Sequence, residues 1–372
     1  MTTIHKSNPL KKVNKMDYSF LLVVFALLAY GLIMVFSASS ATAHYQFGDA
    51  YYFIKRQFIW AIIGVFIMLF VSRIHYKTLY KYAIHIMAIS VVLLIAVLIM
   101  GTTVKGAKRW LGFGFISFQP SEIAKFAIIV FLARSLSTYK DALKTFKLGF
   151  LPYVGIIGVV AGLVFLEPHF SGAMVIGLTG VIMIWAAGAK ITHFINVGIF
   201  ALPVIGFAAI GADYRAKRLV TFLDPFKDVA DGGWQIVQSL YAIGSGGFFG
   251  MGLGQSRQKF LYLPEPQNDF IFSVICEELG FVGALLVVGL FVALIWKGIR
   301  IAINAPYKFA SLTVIGIIGL IAVQAVLNIA VVTSSMPATG MPLPFFSYGG
   351  TSLVFILAQM GVILSISREC EL

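Results

Sequence analysis

Long apolar runs separated by short polar stretches set the pattern of this chain. The runs fall near 18–38, 57–72, 80–100, 118–136, 149–166, 171–188, 193–211, 270–296, 309–333 and 346–366. Most approach the roughly 20 residues that a helix needs to cross about 30 Å of hydrocarbon. The pattern predicts an all-α polytopic membrane protein with ten transmembrane helices. Only the interval 212–269, between the seventh and eighth runs, is long and polar. The first run follows several lysines and leads into Ala38-Ser39-Ser40-Ala41, which resembles a signal-peptide cleavage site. Its apolar stretch exceeds the roughly 7–15 residues of a secretory signal and many runs follow, so it reads as a retained helix.

Composition narrows the class further. The 372 residues are 59% hydrophobic and 12% charged, where soluble domains run at about 45–50% and about 25%. Soluble nucleotide-binding folds, disordered chains and disulfide-built modules are thereby excluded. Cys276 lies inside an apolar run and Cys370 near the end of the sequence, so they form no framework of staples. A net charge of +13 would suggest nucleic acid in a soluble protein, but here it must first be divided between two membrane faces. With the N-terminus in the cytoplasm, sixteen Lys and Arg fall inside and five (Lys55, Arg56, Lys105, Lys108 and Arg109) in the short outer loops. That bias places both termini inside. Without an evident internal repeat or Gly/Ser linker, residues 1–372 read as one membrane domain. It has a cytoplasmic tail at 1–17 and one large extracellular loop at 212–269.

Candidate chemistry follows from polar groups where they are costly. Glu122 and Lys125 stand at i, i+3 at the entry of the fourth helix, behind Gln119-Pro120-Ser121. They read either as a structural ion pair or as a pair lining a polar cavity. Lys105-Gly106-Ala107-Lys108-Arg109-Trp110 places three cations on the outer face, suited to a diphosphate or to lipid headgroups. The long loop carries Arg215, Lys217 and Arg218, then Trp234-Gln235, then a run of glycines, and reads as an interfacial helix and a tight turn forming a lid or wall. Asp269 sits at the mouth of the eighth helix, either as a general base or as an N-terminal cap or first-turn acid. Deeper in that helix, Glu277 and Glu278 point to different sides, so at least one requires a buried partner or a proton, with a proton or cation pathway as the functional alternative. Three prolines and three glycines between Ser334 and Gly350 forbid a continuous helix, which is how a cavity is lined. The six histidines show no zinc-like spacing, and no phosphate loop, dinucleotide fingerprint or nucleophile elbow is present, so no nucleotide cofactor is expected.

Four ordered motifs then carry a resemblance over nearly the whole chain. They are Gly106-Ala107-Lys108-Arg109-Trp110 with Gln119 to Lys125; Gly233-Trp234-Gln235-Ile236-Val237-Gln238-Ser239 with Gly250 to Ser256; Leu263-Pro264-Glu265 through Asp269 to Gly280; and Thr339 to Phe345 with Ser347-Tyr348-Gly349-Gly350. Together they resemble the SEDS family (shape, elongation, division, sporulation), closest to its FtsW and SpoVE branch. The resemblance implies a peptidoglycan glycosyltransferase that polymerises lipid II at the outer face of the bacterial cytoplasmic membrane, during division or sporulation. Its implied partners are lipid II, the nascent glycan strand, a class B penicillin-binding protein and other membrane proteins of the division or sporulation septum; nucleic acid is not among them. Asp269 matches the family's essential acid and Glu122 with Lys125 a family ion pair. Lys108, Arg109, Arg215, Lys217, Gln235 and Ser347 are candidates for diphosphate or sugar binding, with Glu277 and Glu278 as additional acids. The metal site is undetermined, with a divalent cation such as Mg or Mn allowed as an assistant. Many relatives carry an acid after the proline where this chain has Glu167-Pro168-His169, which leaves a role there only if Glu167 substitutes. Competing expectations are a lipid II flippase and a scaffold that only activates the penicillin-binding partner.

Overall fold

A computed structural model describes residues 15–104, 107–113, 116–139, 143–211, 213–227, 229 and 233–370. Every one of the ten apolar runs lies on a helix. These are α1 (Tyr18–Phe47), α2 (Tyr52–Val71), α3 (Lys77–Met100), α4 (Pro120–Thr138), α5 (Leu151–Leu166), α6 (Phe170–Ala186) and α7 (Ile191–Ile210), then α10 (Ile271–Ile303), α11 (Lys308–Val332) and α12 (Gly350–Ser367). A π-helical turn, Phe146–Phe150, runs into α5. Two further helices, α8 (Asp213–Leu223) and α9 (Trp234–Gly246), occupy the stretch expected as a loop.

By length and composition, seven helical stretches can cross a membrane: α1, α2, α3, Phe146–Leu166, α10, α11 and α12. α6 and the Ile191–Ala201 part of α7 are apolar but shorter, and α4 carries Glu122, Lys125 and Arg134 within 19 residues. The outward faces are apolar: Phe66 is 72% exposed, Ile99 73% and Phe200 76%. Surfaces of this kind would aggregate in water and need lipid. α11 and α12 form the centre, 67% buried against 22% for α2. α2 packs on α12, α3 on α4, and α11 on α4, α6 and α10.

The all-α expectation needs one correction. Between α3 and α4 the chain makes a three-stranded antiparallel sheet, β1 (Thr102–Val104), β2 (Ala107–Phe113) and β3 (Ile116–Phe118). Thr102 pairs with Trp110 and Leu111 with Phe118. Two of these strands have three residues and the seven-residue β2 carries a register shift, which leaves little periodicity to read against runs of twenty.

Local signals explain the helix ends. The Asp17 carboxylate accepts from Ser19 N at 2.9 Å and Phe20 N at 3.0 Å to start α1, and Gly48 ends it at φ 69°. α10 is too long for one straight span, since 33 residues rise about 50 Å. It breaks at Gly280, at φ 65° and ψ −161°. The Gly-rich turn after α9 docks into that break. Met251 N donates to Glu277 O at 2.9 Å, Gly252 N to Glu278 O at 2.9 Å and Phe281 N to Gly247 O at 3.0 Å. A Cβ on Gly246 would lie 1.9 Å from Cys276 O, so glycine alone permits this approach. α9 is therefore built into the bundle instead of lying on its surface, with Ser239 Oγ 2.8 Å from Ser273 Oγ and donating to Val332 O at 2.7 Å.

Candidate active site

Two cavities share a wall that includes Arg109, Trp110, Glu265, Asp269 and Gly340. The smaller, about 250 Å³, is lined also by Gln119, Glu122, Lys125, His169, Ser347 and Tyr348. The larger, about 750 Å³, adds Pro168, Ser171, Arg218, Gln235 and the 336–339 stretch. Two carboxylates thus stand in the shared wall, Glu265 exposed and Asp269 half-buried.

The main chain around Asp269 is tied at three successive carbonyls. Tyr348 N donates to Gln267 O at 2.8 Å, Ser347 Oγ to Asn268 O at 2.7 Å and Asn328 Nδ2 to Asp269 O at 2.8 Å. Asn328 Nδ2 also donates to Met341 O at 2.6 Å, and Ser347 Oγ accepts from Leu343 N at 2.7 Å. The proline- and glycine-rich segment before α12 is therefore both cavity wall and clamp. Ser347 lines the smaller cavity, but its hydroxyl is already engaged in holding Asn268. Asp269 stands just before α10: Phe270 holds the cap position and no acid lies in the helix's first turn.

Arg109 and its neighbour Trp110 both line this wall, because the β1–β2 register shifts at Arg109, which falls between the Thr102–Trp110 and Thr103–Lys108 pairs. Arg109 lines both cavities, while Lys108 before it is exposed and lines neither. The connector between α5 and α6 braces it: Arg109 Nε donates to Glu167 O at 3.3 Å, and Nη2 donates to Pro168 O. Beside it, Lys125 Nζ meets Glu122 Oε1 at 2.7 Å, both buried. The ion pair and the cavity wall, alternatives in the sequence, coexist. Placing Glu122 in the first turn of α4 also suits the helix dipole.

His169 Nδ1 lies 3.1 Å from Gln119 Nε2 and 3.4 Å from Ser121 Oγ. Burial pushes its imidazole down to about 3, with Arg109 and Lys125 adding to the shift, so it is a neutral wall residue. Glu167 is buried, its two carboxyl oxygens make no hydrogen bond, and it lines neither cavity. Burial pushes it up to about 8, the Arg109 charge offsetting only part. Glu167 therefore does not stand in for an acid at position 169.

The side chains of Arg215 and Lys217, with all of Lys105, fall outside the described residues. Their neighbour Arg218 lines the larger cavity and donates from Nη1 to Ala338 O at 3.0 Å. Gln235, in the first turn of α9, lines the same cavity. Glu277 and Glu278 line neither cavity. Lys259 Nζ lies 2.9 Å from Glu278 Oε1, and Glu277 Oε1 accepts from Arg257 N at 2.8 Å. Sequence reasoning gave no role to Arg218 or Lys259. Arg218 was findable, three residues after Arg215 on one helical face; Lys259 was not, because its partner is reached only by the chain reversal at the glycines.

The chain matches the cell cycle protein family FTSW_RODA_SPOVE over residues 18–372. It belongs to that family. Stage V sporulation protein E of Bacillus subtilis is 45% identical over 354 residues, 95% of this chain and 97% of that protein. A probable peptidoglycan glycosyltransferase FtsW of Trichlorobacter lovleyi is 41% identical, over 96% of this chain and 94% of its own length. Among solved structures, a chain from work on structural coordination of polymerization and crosslinking by a peptidoglycan synthase complex superposes with a TM-score of 0.79 at 28% identity, covering 95% of this chain and 98% of that one. The rod shape determining protein RodA of Thermus thermophilus gives 0.71 at 26% identity, over 96% and 98%.

Proposed function

We infer that this chain is a peptidoglycan glycosyltransferase that polymerises lipid II at the outer face of the cytoplasmic membrane, with Asp269 as general base. The observation that carries the reading is Asp269, a carboxylate on a main chain tied at three successive carbonyls, in the wall shared by two cavities that also share Arg109. Glycan polymerisation needs two sugar substrates at one reacting centre, and two adjoining cavities accommodate them. Asp269 takes the proton of the attacking sugar hydroxyl as that oxygen bonds to the anomeric carbon of the lipid-linked donor with inversion. The bond to the diphosphate breaks, and undecaprenyl diphosphate leaves with the electron pair. Diphosphate departs readily, so no second carboxyl has to protonate the leaving oxygen.

Arg109 and Arg218 are placed to neutralise diphosphate charge, Arg109 from the shared wall and Arg218 from the larger cavity. Lys108 is exposed and lines neither cavity, so the reading rests on these two arginines. Among the described residues no three His, Cys, Asp or Glu side chains converge to hold a metal. A divalent cation would have to arrive on the diphosphate, and no step here uses one.

The charge bias of sixteen inner against five outer cations supports ten crossings with both termini in the cytoplasm. A class B penicillin-binding protein is the partner this reading implies, with the septum as the site of action. A flippase would need ionisable groups along a path, yet Glu277 and Glu278 are occupied by Lys259 and backbone amides.

The test is a polymer gel of labelled lipid II incubated with the purified chain, alone and with a class B partner inactivated for any glycosyl transfer of its own. Glycan ladders from wild type that vanish in Asp269→Asn support the reading. A folded wild-type complex that binds lipid II and makes no ladder overturns it.

A further inference from the structure

Away from both cavities, five polar side chains form a buried cluster that the chemistry above does not use. Lys259 is 2% exposed, Glu278 0%, Glu277 1%, Ser256 0% and Ser37 5%. Lys259 Nζ donates to Glu278 Oε1 at 2.9 Å and to Gly254 O at 2.7 Å. Ser37 Oγ, from α1, donates to Glu278 Oε2 at 2.5 Å. Glu277 accepts from Ser256 Oγ and from the amides of Arg257 and Gln258, the last two at 2.8 and 3.3 Å. Two carboxylates and one ammonium in a membrane bundle are costly, and removing one partner of such a pair leaves an uncompensated charge.

The cluster lies at one end of the segment that carries Asp269. From Ser256 to Lys259 the chain is fastened to the broken part of α10. From Gln267 to Asp269 it is fastened to the α11–α12 connection, as described above. Between these points it runs through Leu263, whose amide donates to Gln258 O at 2.9 Å. Gly250 and Gly280 set the same end from the other side: the Gly280 break places Glu277 and Glu278 level with the returning chain.

We propose that Lys259 and Glu278 are positioning residues that set the catalytic rate through Asp269, by locking the proximal end of the 256–269 segment against α1 and α10. The proposal rests on Asp269 being the base. Neither residue touches substrate. Their loss therefore lowers kcat and leaves KM for the lipid-linked donor nearly unchanged.

The experiment compares wild type, Lys259→Met, Glu278→Gln, the double variant and Lys259→Arg as purified full-length chains. It reads steady-state lipid II polymerisation together with hydrogen exchange across 256–269. The expected result is a tenfold or greater fall in kcat for each single variant, with KM within about threefold of wild type. Faster exchange should be confined to 256–269, and Lys259→Arg should recover at least part of the rate. The double variant removes the Lys259–Glu278 ion pair as a unit and leaves Glu277 on Ser256 and two backbone amides, so it should be better folded than either single one but still slow and still fast-exchanging. Unchanged exchange in 256–269 overturns the proposal, as does a double variant with wild-type kcat. So does a loss of rate that only follows the folded fraction. If wild type itself makes no polymer, the polymerase reading fails, while the exchange data still decide whether the clamp exists.

Discussion

Replacing Asn328 by alanine tests the support of Asp269 without touching its carboxylate. The Asn328 amide is 1% exposed and donates to Asp269 O at 2.8 Å and Met341 O at 2.6 Å. At about 0.6 kcal/mol per hydrogen bond in a membrane protein, two lost bonds cost only ~1.2 kcal/mol. At about 1–3 kcal/mol per stranded buried polar group, the same change costs ~2–6 kcal/mol. The larger range applies here, because Asn328 is buried and both carbonyls lie in non-helical segments. The stability loss shows as a lower melting temperature in detergent. The kinetic loss is separate: a displacement of the reacting group by ~1 Å costs on the order of 10²-fold in rate. The assay is lipid II polymerisation at saturating substrate, alongside melting and gel filtration of the same sample. We expect kcat to fall by on the order of 10²-fold in protein that remains monodisperse. A variant that melts lower but keeps kcat within about threefold of wild type would refute the idea that these backbone ties place the carboxylate.

Three further outcomes follow from the geometry. Gly340 stands at φ 66°, and an added Cβ would lie 3.4 Å from Asp269 Oδ2; Gly340→Ala should therefore cost about 1–2 kcal/mol through its backbone and slow polymerisation by crowding the carboxylate, read as a lower melting temperature with reduced kcat. Glu167, pushed by burial from 4.5 up to about 8, holds its proton in the folded state while the unfolded carboxyl has lost it, so it removes stability as pH rises from about 4.5 to about 8; Glu167→Gln should raise the melting temperature at pH 8 by more than at pH 5, and an equal change at both would refute the shift. Gly246→Ala places a Cβ 1.9 Å from Cys276 O, a backbone atom that cannot swing away; loss of folded protein on gel filtration is expected, and normal yield would contradict the tight α9–α10 contact.

What the sequence could carry depended on the range of each interaction. Helix positions were legible because twenty apolar residues are a strong local signal. Glu122 with Lys125 was legible because i, i+3 neighbours meet by helix geometry alone. The segment from Ser334 to Gly350 was legible as cavity lining because proline and glycine exclude a helix there. Longer-range arrangements were not. The sheet before α4 shifts register at Arg109, so the different placement of exposed Lys108 and cavity-lining Arg109 was hidden. Glu278 was read as needing a partner, but Lys259 could not be chosen without knowing that the chain returns at Gly247 to Gly254. Ser347 is legible as a polar residue of its motif, but only the fold shows its hydroxyl donating to Asn268 O. Asp269 at a helix mouth was legible, but not its place in the wall shared by two cavities.

The central claim, that Asp269 acts in the chemistry and not in holding substrate, is tested most directly by measuring binding and turnover on one Asp269→Asn preparation. General base catalysis contributes about 10²–10⁴-fold. The account predicts a polymerisation rate lower by that factor, with affinity for labelled lipid II within about threefold of wild type. Wild-type turnover in the variant, or loss of binding in proportion to loss of rate, would contradict it.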